Sequence, residues 1–379
     1  MPFYLNEDRA AVMEIARQFA QKDCAPLAEE IDREDRFPLE LFRKAGELGL
    51  LGIGIPEELG GSGLDTTTLC LVAEEISKTL PALAQIIMSH TGLSLMSLMQ
   101  LNDKATRDEW LPKAAQGKAV GVCCMTEPCG NSDMTGWKTT AVKDGDDWII
   151  NGGKIFCTNV GAADYYIVSA KTDKMDLSKG YGATGFFVPK GTKGARVEHI
   201  EDKIGWRGSS TGSIYFDNVR VPDKYRVGPV NMHLAAWDSR PELIAEGACA
   251  LGIAEAAYEA TKTYAKQRLM PNGIPYYYYH ETMRTRITEM KMKIEAIRGM
   301  VYMFADMADR GENVAPDFMM IKPYTASLAQ DICSVAIDLH GGNGVCKECK
   351  IEKYWREAKV CMIGGGQYDI QMDSAGLMS

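Results

Sequence analysis

Met125-Thr126-Glu127-Pro128-Cys129-Gly130-Asn131-Ser132-Asp133 is the stretch on which the reading of the whole chain turns, together with Phe156-Cys157-Thr158-Asn159 about a strand-pair later. A proline and a glycine break the backbone in the first segment, while hydroxyls and carboxylates crowd into a few positions, as in loops that wrap a polar ligand. Hydroxyls at Thr126, Ser132 and Thr158 can each donate or accept, which suits a flat heterocycle with alternating donors and acceptors along its edge. Phe156 can offer a stacking face. Taken alone, the same residue types also build turns that bind nothing.

Working outward, the texture on the two sides of this stretch differs. Before it, the chain reads helical: Val12, Ile15, Ala16 and Phe19 form an apolar stripe, and Pro38 opens a second helix through Leu39, Leu41, Phe42 and Ala45. Gly49 to Gly63 is too rich in glycine to hold a helix, and two more helices are expected over Thr66–Lys78 and Leu83–Leu101. From about Gly121, short strands take over. Thr139–Val142 and Trp148–Ile150 flank a glycine turn, and Tyr165–Ser169, Thr184–Val188 and Ser213–Phe216 continue the pattern. Beyond Pro222 helical spacing returns. Pro241–Arg268 forms one helix, Met283, Ile287, Met290, Ile294, Ile297, Val301, Phe304 and Ala308 form a seam, and Thr325, Leu328, Ile332, Val335 and Leu339 form another. The spacing predicts an α+β chain of three parts: an N-terminal helical domain over 1–120, a middle β-barrel or sandwich domain over 121–228 and a C-terminal antiparallel helix bundle over 229–379.

Composition narrows the function classes. A chain of 379 residues can bury two or three cores, and a net charge of −9 with mixed signs offers no broad basic surface for nucleic acid or an anionic membrane. No apolar run reaches the ~18 residues that span a bilayer, and no signal-like segment opens the chain, so a cytoplasmic location is expected. The 11 cysteines, an odd number, then read as reduced thiols. Cys346 and Cys349, with His340 nearby, invite a metal reading, but no second pair stands at zinc spacing and no metal is expected.

The order Thr-Glu-Pro-x-Gly-x-Ser-Asp at 126–133, Phe-x-Thr-Asn at 156–159 and Gly-Gly-Asn-Gly at 341–344 resembles the acyl-CoA dehydrogenase family of flavoproteins. The resemblance runs from Ile53–Gly63 to Ile363–Gln367. It implies a C-terminal four-helix bundle, FAD as cofactor, an acyl-CoA substrate, an electron-transferring flavoprotein as acceptor, and a homotetramer, a dimer of dimers in which flavin touches two subunits. Met125 and Thr126 would bond the flavin ring, Phe156 would stack on it and Thr158 would bond near its N5. Ser132 would lie by both cofactor and CoA. Arg268 matches an arginine that reaches the pyrophosphate of a neighbouring subunit's FAD, and Glu281, Asp338, Gly341, Gly342 and Gln367 fall with the remaining cofactor positions. Asp238, Arg240 and Gly366 fall with the substrate positions.

Departures from the family pattern define the rest of the problem. After Arg268 the chain runs through an apparent insertion to Tyr276–Tyr279, and Glu281 and Asp338 put carboxylates near a pyrophosphate, which is unfavourable unless they meet ribose hydroxyls or cations. Many members carry the catalytic base as a glutamate in a Tyr-Glu-Gly-Thr segment, where this chain has Gly364-Gly365-Gly366-Gln367. A smaller branch, typified by isovaleryl-CoA dehydrogenase, places it at the start of the first bundle helix. Gapless counting back from Arg268 brings that position to Glu242, with Glu246 one turn later on the same face as the understudy. An acidic residue there is also favoured merely by the helix dipole. The amide of Gly365 would survive as a donor to the thioester oxygen. Missing side chains at 364 and 365 suggest room for a branched or cyclic acyl group. Three further readings remain: an enoyl-CoA reductase, a base-free desulfinase-like enzyme, and an inert flavin-binding protein.

Overall fold

Side-chain capping fixes where the first helices begin. Asn6 Oδ1 accepts from Arg9 N at 2.8 Å to start α1 (Glu7–Phe19), and Asp65 Oδ1 accepts from Thr68 N at 2.9 Å to start α4 (Thr66–Ser77), each satisfying one of the amides a helix N-terminus leaves unpaired. The computed structural model describes residues 2–130, 134–233, 240–312 and 318–378. Between α1 and α4 lie α2 (Ala28–Glu34) and α3 (Leu39–Glu47). Of the stripe expected on α1, Ala16 and Phe19 are buried, but Ile15 faces outward.

The helix expected over 83–101 is not uniform. α5 (Pro81–Met88) widens into a π-helical segment, Ser89–Leu95, before α6 (Met96–Leu98). The segment turns Ser89, His90, Thr91 and Ser94 inward, where Thr91 Oγ1 donates to Leu51 O at 2.9 Å and Ser94 Oγ to the Tyr165 hydroxyl at 3.0 Å. His90 is held from both sides, with Nδ1 accepting from Gly121 N and Nε2 bonded to Ala114 O. α7 (Lys104–Ala115) closes the helical part.

The middle part is one sheet. β1 (Gly121–Cys124), β2 (Thr140–Asp144), β3 (Asp147–Cys157), β4 (Tyr165–Asp176), β5 (Tyr181–Pro189), β6 (Ala195–Ile200), β7 (Gly212–Pro222) and β8 (Arg226–Val227) lie in the order β6-β7-β3-β2-β4-β5-β8, with β1 parallel to β4. The hairpin read around Gly145 is present, with Asp144 paired to Asp147 and Gly145 at φ +60. β1 and β3 matter most for function, because the two segments quoted first leave the sheet at or beside their ends.

The C-terminal part is built on α8 (Arg240–Gln267), followed by α9 (Tyr276–Tyr279), α10 (Glu281–Asp309), α11 (Phe318–His340), α12 (Ile351–Cys361) and α13 (Tyr368–Met378). Contacts running in opposite senses, Arg286 with Asp338 and Lys293 with Asp331, show α10 and α11 to be antiparallel. The expected α10 seam from Met283 to Phe304 is buried. α8 lies against α4 at a glycine: a Cβ on Gly252 would strike the Glu74 carbonyl, so only glycine permits this approach. Around that crossing Arg298 and Lys78 neutralise the carboxylates of Glu74 and Glu255, an ionic junction that joins α4, α8 and α10.

Candidate active site

The loop after β1 is held from beneath by a charge no solvent reaches. Lys154 on β3 is fully buried, and its Nζ donates to Met125 O at 2.8 Å and to Glu127 Oε1 at 2.9 Å while lying 3.7 Å from the centre of the Trp137 ring. Glu127 in turn accepts the backbone amides of Lys138 at 2.6 Å and Thr139 at 3.1 Å. Burial opposes ionisation of Glu127, but Lys154 and these donors outweigh it and leave the carboxyl below its ordinary range. Burial pulls Lys154 below its ordinary range, with Glu127 opposing, and the hydrogen-bonded pair fixes the turn that presents Met125 and Thr126. Sequence reading missed Lys154. It follows Gly152 and Gly153, beyond the strand expected over Trp148–Ile150, so no local pattern marked it.

The second segment is drawn to the first by a backbone bond, Ile155 N to Thr126 O at 2.8 Å. Phe156 then adopts φ +51, rare for a residue with a bulky side chain, and leaves its ring 59 % exposed. Asn159, also left-handed at φ 72, is buried and donates to Ile86 O at 3.1 Å. Thr126 and Thr158 stay half-buried beside them. A strained, solvent-facing aromatic next to two hydroxyls and a rigid backbone edge fits a flat, hydrogen-bonding ring system such as a flavin. Ser132 and Asp238 lie outside the described residues, as does the side chain of Arg240.

Glu242 and Glu246 project from the first turns of α8 into the interior, each only 4 % exposed. Glu242 packs on the π-helical segment: a Cβ at Gly92 would come 2.9 Å from its Cβ, so the missing side chain at 92 makes room for it. It also faces β1, where its charge, after burial and Cys157, helps to push the Cys123 thiol up to about 12. Burial, reinforced by the charge of Glu246, holds Glu242 well above the ordinary carboxylate range, with Lys322 opposing. Glu246 is pushed up to about 7 by burial, against Lys322 and the Gln85 amide. The arrangement is a buried carboxyl pair with raised proton affinity at the junction of α8, β1 and the 364–366 loop, which equips it to take up a proton.

The glycines of that loop do not open space, contrary to the reading that allowed a branched or cyclic acyl group. A Cβ on Gly364 would run into the Trp206 ring, and one on Gly365 would meet both carboxylate oxygens of Glu246 at under 3.0 Å. Trp206 is fixed there by its own amide, which donates to buried Glu357 at 2.8 Å. Gly365 is left-handed at φ +67, its carbonyl accepts from Gln371 Nε2 at 2.9 Å, and Lys322 Nζ donates to Gly366 O. Gln367 points elsewhere, to Asp369 at 2.7 Å.

The remaining predicted cofactor residues form a separate group at the far end of α8. Arg268 Nη1 donates to the Tyr264 hydroxyl at 3.0 Å, and its guanidinium lies over the Tyr276 ring. Asn343 Nδ2 reaches the same hydroxyl at 3.2 Å, and side chains at Gly341 or Gly342 would meet nothing. Asp338 is neutralised by Arg286 at 2.7 Å, which removes the objection to a carboxylate at that position, while Glu281 opens α10 at the surface. A cavity of about 650 Å³ adjoins this group, lined in part by Tyr264, Gln267 and His340. Twenty-six residues at ~1.5 Å each separate Arg268 from Glu242 along α8, or ~39 Å. Among the described residues no group of three or more metal-ligating side chains converges.

Known proteins match this arrangement over the whole chain. The models for the N-terminal, middle and C-terminal domains of acyl-CoA dehydrogenases match residues 6–118, 123–219 and 240–376. An acyl-CoA dehydrogenase of Bacillus subtilis (strain 168) is 35% identical, with 97% of each chain covered. A short-chain-specific acyl-CoA dehydrogenase of Clostridium acetobutylicum is 32% identical, covering 98% of this chain and 97% of its own. Butyryl-CoA dehydrogenase from Megasphaera elsdenii superposes with a TM-score of 0.93 at 30% identity over 99% of both chains. With three domain matches in order and the same α, β, α architecture, the chain belongs to the acyl-CoA dehydrogenase family of FAD-dependent oxidoreductases.

Proposed function

We infer that this protein dehydrogenates an acyl-CoA thioester between its α and β carbons, with Glu242 taking the α-proton. The observation that carries the reading is the buried Glu242–Glu246 pair beside Gly365, in a chain whose Gly365 has no carboxyl to offer. Bound FAD supplies the acceptor for the β-hydride. Met125, Thr126 and Thr158 would hold its ring system, and Phe156 would cover it. The amide of Gly365 polarises the thioester carbonyl, so that negative charge developing at the α-carbon is met by a fixed donor. Glu242, raised in proton affinity by burial, accepts the proton, and its burial keeps bulk water away.

Short acyl groups are the proposed substrates, following the short-chain and butyryl-CoA relatives. Side-chain space at 364 and 365 is taken, so a branched or cyclic group has no support from those glycines. The ~39 Å between Glu242 and Arg268 exceeds what one cofactor can bridge within one chain. We therefore assign the Arg268 group to the adenine end of FAD bound by a second copy, in a homotetramer that passes electrons to an electron-transferring flavoprotein. In that assembly Asp338, paired with Arg286, and Glu281 face ribose hydroxyls rather than phosphate.

Anaerobic mixing with butyryl-CoA tests the function. Flavin absorbance near 450 nm should bleach in wild type and bleach at least ~100-fold more slowly in Glu242→Gln with FAD content unchanged. Equal rates would remove Glu242 as the base. Oxidation of reduced protein by crotonyl-CoA, with no forward reaction, would favour the reductase. Silence in both directions across a thioester panel would favour an inert flavin-binding protein.

A further inference from the structure

Beside the carboxyl pair stands a buried cation. Lys322 on α11 is only 1 % exposed, and among the described residues no carboxylate lies within ion-pair distance of its ammonium. Burying a charge on those terms is costly, and packing alone does not offset it. Its place is set by two helices that meet closely. A Cβ on Gly247, next to Glu246 on α8, would lie 3.0 Å from Ile321 Cγ2 and 3.2 Å from Thr325 Oγ1, residues on either side of Lys322. The Thr325 hydroxyl also donates to the carbonyls of Ile321 at 2.7 Å and Lys322 at 3.2 Å. From this anchored turn Lys322 Nζ donates to Gly366 O, and Gln371 Nε2 donates to Gly365 O at 2.9 Å, so two successive peptide groups of the loop are pinned. The amide of Gly365 itself is bonded to no backbone acceptor among the described residues.

We propose that Lys322 is a positioning residue of this site: its ammonium holds the Gly366 carbonyl, and through it the Gly365 amide, and serves as the fixed counter-charge while negative charge passes from the carboxyl pair to the thioester. The inference rests on the dehydrogenase reading above. With one proton on the pair, the carboxyls carry one negative charge and Lys322 one positive. When Glu242 takes the α-proton, the C–H bond breaks, an O–H bond forms, and the electron pair left behind places the negative charge on the thioester. The sum over carboxyls, lysine and thioester does not change, which matters in an interior where an unbalanced charge is poorly screened. The groups that face Lys322 are Glu246 and Glu242 from α8 and Cys361 from α12, the last flanked by Cys249 and Glu357. Burial draws the ammonium below its ordinary range, and these three groups oppose that.

The test uses the FAD-loaded enzyme with butyryl-CoA and three variants: Lys322→Gln removes the charge and keeps a donor, Lys322→Met removes both, and Lys322→Arg keeps both. Loss of a nearby cation raises a carboxyl group's proton affinity, so the rising limb of kcat/KM should move about one unit or more to higher pH in K322Q and K322M. K322R should return the limb towards wild type, and K322M should have a lower high-pH plateau than K322Q because its loop carbonyl is unheld. K322Q carries the test should K322M fold poorly. An unmoved limb at wild-type FAD content overturns the proposal, because a lysine that only packs would leave it in place. A second readout needs no turnover: the protonated-carboxyl stretch in infrared spectra, assigned with Glu242→Gln and Glu246→Gln, should persist to higher pH in K322Q than in wild type. Equal titration overturns the proposal and leaves the dehydrogenase reading standing. If no thioester reduces the wild-type flavin, the dehydrogenase reading fails instead, and with it the proposed role, whatever the infrared titration shows.

Discussion

At the scale of single residues, the proposed chemistry depends on two buried carboxyl groups one helical turn apart. Because they interact, their protons leave in steps that belong to the pair, and kcat/KM should climb with pH through an apparent value at or above 7. Stability should respond in the opposite direction. The folded chain keeps a proton on Glu246 that the unfolded chain loses near pH 4.5, so the Glu246 contribution to folding falls as pH rises from about 4.5 to about 7, and Glu242, held higher still, extends the loss above that. The Glu246 part is about 3 kcal/mol. Glu246→Gln should therefore melt higher than wild type at pH 8 and close to it at pH 5, in thermal unfolding followed at both values. Gly365→Ala should lose thermal stability and activity together, since it forces an L-residue to φ +67 and a methyl into the Glu246 carboxylate.

At the scale of elements, the loop after β1, proposed to hold the flavin, is only as rigid as the buried pair beneath it. Lys154→Met leaves Glu127 charged and unpaired in the interior, a loss of about 3–5 kcal/mol. It also releases the Met125 carbonyl. Purified K154M should carry less FAD per chain than wild type and unfold at lower denaturant concentration, readable from the 450 nm to 280 nm absorbance ratio and a urea titration. The π-helical segment has a comparable role on the other side of the site. Its extra residue per turn turns Gly92 to Glu242, and Gly92→Ala should slow flavin reduction more than it alters FAD content.

At the scale of the whole molecule, α8 ties both ends of the cofactor problem together. Its first two turns carry the carboxyl pair and its last turn leads to Arg268, which under the proposed function is too far away to act on the same FAD within one chain. Arg268→Ala should therefore weaken FAD retention in a manner that worsens on dilution, with light scattering reporting the assembly and ultrafiltration the released flavin. Retention that does not depend on protein concentration would argue against a shared cofactor.

The amino-acid sequence by itself determined the three-part architecture, because helical and strand periodicities change where the chain enters and leaves the sheet, and because short motifs at 126–133, 156–159 and 341–344 carry their own turn chemistry. It also placed Glu242 at the start of α8 by counting. Only the tertiary structure decided what surrounds it. The π-helical widening, the Lys154–Glu127 support, the filling of the glycine positions by Trp206 and Glu246, and the pairing of Asp338 with Arg286 all join residues far apart in the chain. No local pattern encodes such contacts, since they arise when separate elements pack and exclude water from the charges between them.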